Sequence, residues 1–186
     1  MLKSFRDFSM TFVNEKKGDM YQYGCAMVYF DFPQAVEIHE MIDPEDLYTE
    51  SEDRTFGIED EPHATLLYGL HSNEVSDEEV MQVSTSIPIG RITLKNASLF
   101  KNAKAGYEVL KFDIENDAMY DINQKLSALP HTTDFPDYHP HCTIAYLKPG
   151  KGAKYVDLLN GATYDVAATS IVYSKPDGSR LKESCV

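Results

Sequence analysis

Two short strands of the same make constrain this chain more than any other feature in it. His63-Ala64-Thr65 opens the apolar run HATLLYG, and His141-Cys142-Thr143 opens HCTIAYL. Each run is followed by a turn and then a helical pattern. Residues two apart on a strand point the same way, so His63 and Thr65 project together, as do His141 and Thr143. By the same alternation Cys142, Ile144 and Tyr146 face the opposite side. The repeat hints at two related lobes, each contributing one His-x-Thr strand. A third match, His131-Thr132-Thr133, lies in a proline-bounded loop and is set aside, because a single match this short is weak.

The rest of the chain reads as alternating strands and helices. Tyr21 to Phe32 is aromatic and branched, a buried strand ended by Pro33. Gln34 to Ile42 reads as a short helix, and Asp43 to Glu61 as an acidic, Pro-flanked loop, the segment best suited to movement. Ser76 followed by Glu79 is a capping box at the head of a helix carrying Val80, Val83 and Ile87. Arg91 to Phe100 and Tyr107 to Ile114 pair as a hairpin. Asp117 to Leu129 is a helix, Lys154 to Leu159 a short one, and Tyr164 to Tyr173 a last strand. This order predicts an α+β fold with antiparallel sheet. Residues 1–20 form an amphipathic N-terminal extension ended near Gly18, and 21–186 a single domain.

Charge narrows the function. Residues 31–79 hold sixteen Asp and Glu against one Arg, within a net charge of −13 for the chain. A protein that grips long nucleic acid needs a basic stripe to displace counterions, and none is visible. A small anionic ligand held by a few pointed groups stays possible. The longest apolar runs are too short for a bilayer span, and the charged N-terminus is no secretory signal. Three scattered cysteines, Cys25, Cys142 and Cys185, form no disulfide framework and suit a cytoplasmic setting.

If the two motif strands meet across a cleft, two imidazoles and two hydroxyls converge on one point. That quartet suits a phosphodiester. One neutral His takes a proton from the attacking hydroxyl, the other, protonated, gives one to the leaving oxygen, and Thr65 and Thr143 hold the non-bridging oxygens. No metal or other cofactor is required. His139, His141 and Cys142 are interrupted by Pro140 and have no second cluster at ligand spacing, so a metal site is not expected. The pair predicts a bell-shaped rate profile between about pH 5 and 8. His39 and His71 read as surface or helix residues. Lys148, Lys151 and Lys154 read as a solvated turn, with phosphate contact as the alternative.

Two such strands about eighty residues apart resemble the 2H phosphoesterase superfamily, which includes RNA 2′,3′-cyclic and 2′,5′-oligoadenylate phosphodiesterases. The wording YGCAMVYFDFP (Tyr23 to Pro33), GIEDEPHATLLYGLH (Gly57 to His71) and HPHCTIAYLKPG (His139 to Gly150) is similar to the phage anti-CBASS phosphodiesterases of T4-like phages. That resemblance implies two antiparallel-sheet lobes with outer helices and a central cleft. It implies metal-independent cleavage of cyclic di- and trinucleotide signals such as 3′,3′-cGAMP, in the cytoplasm of an infected host. It implies His63 and His141 as the acid–base pair, Thr65 and Thr143 as phosphate holders, and Tyr23 as a base-stacking residue. Trp, which members also use for stacking, is absent here. An RNA-end 2′,3′-cyclic or 2′,5′-oligonucleotide phosphodiesterase, and a non-catalytic nucleotide sponge, are the alternatives.

Overall fold

The computed structural model describes residues 22–50, 56–102, 106–135 and 137–185. The amphipathic extension of residues 1–20 lies outside them. The described chain runs β1 (Tyr23–Asp31), α1 (Ala35–Glu40), a 3-10 turn (Pro44–Asp46), β2 (His63–His71), α2 (Asp77–Ser84) and β3 (Arg91–Asn102). It continues through β4 (Tyr107–Glu115), α3 (Asp117–Leu126), β5 (His141–Leu147), α4 (Ala153–Leu158), β6 (Tyr164–Ser174) and β7 (Arg180–Ser184). Local chemistry sets the ends. Ser76 Oγ accepts from the Glu79 amide at the head of α2, and the Asn116 side chain accepts from the Met119 amide at the head of α3.

The strands form one antiparallel path, β2-β1-β6-β3-β4-β5, with β7 added to β6. β6 joins two lobes. Its first residues pair with β3, whereas residues 170–174 pair with β7 along the edge that β3 has left. The order is palindromic: β1-α1-β2-α2-β3 and β4-α3-β5-α4-β6 are equivalent halves, as the repeated motif suggests. In each half a proline carbonyl just before the motif accepts from the neighbouring strand. Phe30 N donates to Pro62 O at 3.2 Å, and Ile114 N to Pro140 O at 3.0 Å.

The halves are interlocked. α1 follows β1 but packs on β5; α3 follows β4 but packs on β2. The chain ahead of each motif also crosses to the other lobe. Residues 57–59 pair with the outer edge of β5, where Tyr146 N donates to Gly57 O at 2.7 Å and Glu59 N to Ile144 O at 3.0 Å. Residues 130–132 pair with the outer edge of β2, where His71 N donates to Pro130 O at 3.0 Å and Thr132 N to Gly69 O at 2.9 Å. Gly69 is required there, because its φ of +93° is left-handed and a Cβ would lie 1.8 Å from the Thr132 carbonyl oxygen. The acidic loop is therefore bound at both described ends, since Leu47 also bridges to Leu147.

The main core lies between the sheet and the helices, around Leu66, Leu70, Ile92, Phe112, Met119 and Ile122. The opposite face carries smaller apolar clusters, Cys25–Met27–Val172 in one lobe and Tyr107–Val109–Tyr146 in the other. That second face forms the cleft.

Candidate active site

Strand register fixes what faces the cleft. On the first lobe the cross-strand rows are His63–Tyr29–Ser170–Ser184, Thr65–Met27–Val172–Lys182 and Tyr68–Cys25–Ser174–Arg180. On the second they are His141–Asp113, Thr143–Lys111 and Tyr146–Val109. The four motif residues all lie on this face. β2 and β5, at opposite ends of the sheet path, lie against each other. The His63 amide reaches the Cys142 sulfur, so the heads of the two motifs are neighbours. Their convergence, which the strand pattern alone does not establish, comes from the crossed straps at 57–59 and 130–132.

Each imidazole is oriented by the same device. His63 Nδ1 lies 2.6 Å from the Glu61 carbonyl oxygen and His141 Nδ1 lies 2.9 Å from that of His139. A carbonyl only accepts, so Nδ1 carries the proton in both rings, and Nε2 is the nitrogen that can exchange one. The surroundings differ. His63 is 5% exposed and stacks on Tyr29, with centroids 5.2 Å apart. Burial pushes its pKa down to about 4, and the charges of His141 and Arg180 push the same way. His141 meets the edge of Phe100 at 4.8 Å and lies beside Lys111 and Asp113. Burial also lowers its pKa; the Lys111 charge adds to that, while the Asp113 carboxylate opposes it. Lys111 is itself buried, ion-paired to Asp113, with Nζ 4.6 Å from the Phe100 ring centroid.

Other sequence candidates fall elsewhere. Tyr23 lies on the cleft face of β1, but packs on Tyr68 and His71. It is six residues along the strand from Tyr29, roughly 20 Å at the usual rise. The aromatic rings at the histidines are Tyr29 and Phe100, which sequence spacing did not single out. Tyr146 shares the face of His141 and Thr143, against the expectation from alternation. The register shift at Leu110/Lys111 leaves Ile144 as an extra residue and reverses the facing beyond it. Cys142 is a buried core thiol, with burial raising its pKa.

His71 is buried rather than on the surface. Its Nδ1 lies 2.7 Å from the Glu74 carboxylate and its Nε2 lies 2.8 Å from Thr132 Oγ1. The loop match at 131–133 is thus part of the strap on β2. Lys151 and Lys154 form ion pairs with buried Asp46, and Lys148 Nζ donates to the Glu45 carbonyl. These lysines pin the 3-10 turn beside β5. Among the described residues, no three His, Cys, Asp or Glu gather so as to hold a metal ion, and no helix is long and apolar enough to cross a membrane.

The α+β fold, with its antiparallel sheet path and crossed lobes, recurs in solved structures of other proteins. It is shared with Kluyveromyces marxianus Usb1, at TM-score 0.52 and 7% identity over 87% of this chain and 97% of that one. The same Usb1 with uridine monophosphate gives a TM-score of 0.54 and 10% identity, covering 87% and 98%. Escherichia coli LigT complexed with 3′-AMP gives 0.48 and 18% over 88% and 95%. No protein-family model and no curated protein sequence matches the chain.

Proposed function

We propose that this protein is a metal-independent phosphodiesterase that opens cyclic di- and trinucleotides, with His63 as general base and His141 as general acid. The observation that carries this reading is the adjacency of two His-x-Thr strands, both with Nδ1 held by a backbone carbonyl two residues upstream. A ribose 2′-hydroxyl passes its proton to Nε2 of His63 as its oxygen attacks the adjacent phosphorus. The bond to the 5′ oxygen breaks, and that oxygen takes a proton from Nε2 of His141. Thr65 and Thr143 donate to the non-bridging oxygens as charge accumulates. The product is a 2′,3′-cyclic phosphate, which water opens to a 3′-phosphate with the two histidines exchanging roles.

The assignment of roles follows from the unequal surroundings. At His141 the Asp113 carboxylate opposes the depressing charge of Lys111, whereas the charges of His141 and Arg180 both disfavour the protonated form of His63 and no carboxylate among the described residues offsets them. Both imidazoles are depressed, so the free cleft holds both neutral at pH 7. The active form, with one proton on the pair, is most abundant between the two depressed values. The rate optimum then lies on the acid side of 6.5 rather than spanning pH 5 to 8, because burial opposes either charge.

The wording shared with phage anti-CBASS phosphodiesterases supports cyclic oligonucleotide signals as the substrate and host immune evasion as the setting. The test is incubation with 3′,3′-cGAMP in excess EDTA, followed by chromatography and mass spectrometry. Linear dinucleotide with a terminal phosphate is expected. Cleavage confined to an RNA 2′,3′-cyclic end would replace the substrate assignment, and binding without cleavage would make the protein a sponge.

A further inference from the structure

The cleft contains cations that the motif chemistry does not use. β7, which the strand pattern of the sequence did not reveal, pairs with β6 so that Arg180 and Lys182 fall in the cleft-facing rows of Tyr68 and Thr65. Sheet twist lifts opposite corners of this lobe over the same face. The head of β7 thereby meets the approach to β2: Arg180 Nη1 lies 3.6 Å from Glu61 Oε2. The guanidinium charge acts on His63 and on the Tyr29 phenol. Two hydroxyls in the His63 row, of Tyr29 and of Ser170, are buried with no hydrogen-bond partner among the described residues. A guanidinium held by a 3.6 Å ion pair can exchange that contact for the oxyanion of a ligand. In a chain of net charge −13, cations on this face contrast with the acidic remainder.

We propose that Arg180 and Lys182 form a second anion subsite, which takes a second phosphate of a ligand whose reacting phosphate lies between His63 and His141. Arg180 exchanges its contact with Glu61 for the ligand oxygen. The subsite selects substrates with two phosphates on one compact ring, that is cyclic dinucleotides, over cyclic mononucleotides. It rests on the phosphodiesterase reading and refines it.

The test is titration calorimetry on a His141→Gln background, which keeps ligands intact, with 3′,3′-cGAMP and 2′,3′-cyclic AMP as the two probes. Arg180→Ala is expected to weaken cGAMP binding about 10- to 100-fold, the range of one charge-assisted hydrogen bond. Its effect on 2′,3′-cyclic AMP should stay within about threefold. Lys182→Ala follows the same pattern more weakly, Arg180→Lys keeps most of the affinity, and Glu61→Gln, which frees Arg180, tightens cGAMP alone. Equal losses on both probes, or no loss on either, overturn the subsite. So does a background protein that binds both probes equally, an outcome that leaves the phosphodiesterase reading intact. A background that binds neither probe removes the reading itself, which the EDTA assay on wild-type protein then checks independently.

Discussion

The pH dependence of turnover gives the sharpest test of how the cleft works. The proton that His141 donates must be held on a ring whose pKa burial and Lys111 depress and Asp113 raises only in part. In the register, Lys111 faces Thr143 and is a diagonal neighbour of His141. Diagonal pairs stand roughly 7–8 Å apart. At an effective dielectric constant of about 20–40, a unit charge at that range contributes about 1–2 kcal/mol, or about one pH unit. Lys111→Gln should therefore move the basic limb of kcat/KM upward by about one unit. Asp113→Asn should move it downward by a similar amount, from a wild-type midpoint below 6.5. The assay is kcat/KM for 3′,3′-cGAMP from pH 4 to 9 at constant ionic strength, with melting temperatures to confirm that the variants are folded. Shifts of the same sign, or no shift in either variant, would refute the assignment of His141 as the acid.

Further expectations concern the pair and its scaffold. His63→Ala and His141→Ala should each lower kcat by about 10²- to 10⁴-fold while retaining ligand binding; turnover within threefold of wild type in both would defeat the catalytic assignment. His63 is neutral when folded, with its pKa near 4, so its contribution to stability is complete above 6.5 and is lost as pH falls toward 4, by about 3 kcal/mol. Glu59 acts in the opposite sense, because burial raises its carboxyl to about 7 and its contribution is lost as pH rises from 4.5 to 7. Urea denaturation should accordingly show His63→Gln gaining, and Glu59→Gln losing, stability relative to wild type on acidification to pH 4.5. Gly69→Ala combines left-handed backbone strain with loss of the Thr132 N–Gly69 O bond, at a cost of about 2–4 kcal/mol. A melting temperature unchanged from wild type would show that the strap on β2 does not hold.

Much of this protein is legible in its local chemistry alone. Alternation over short runs places His63 with Thr65 and His141 with Thr143, because strand geometry repeats every two residues whatever the fold. The capping box at Ser76, the hairpin of β3 and β4, and the helix begun at Asp117 are likewise set by neighbours a few residues apart. The repeated motif indicates two halves. What the tertiary structure decided depends on residues distant in sequence. A bulge in β5 relative to β4 turns Tyr146 into the cleft, and such a shift exists only in a pair of strands, so one strand's pattern cannot show it. The stacking of His63 on Tyr29, the company of His141 with Lys111 and Asp113, and the reach of Arg180 to Glu61 all arise from register and twist. So does the meeting of the two motifs. Residues 57–59 and 130–132 cross between the lobes through backbone hydrogen bonds, and backbone groups carry no side-chain signature by which a sequence could announce their partners.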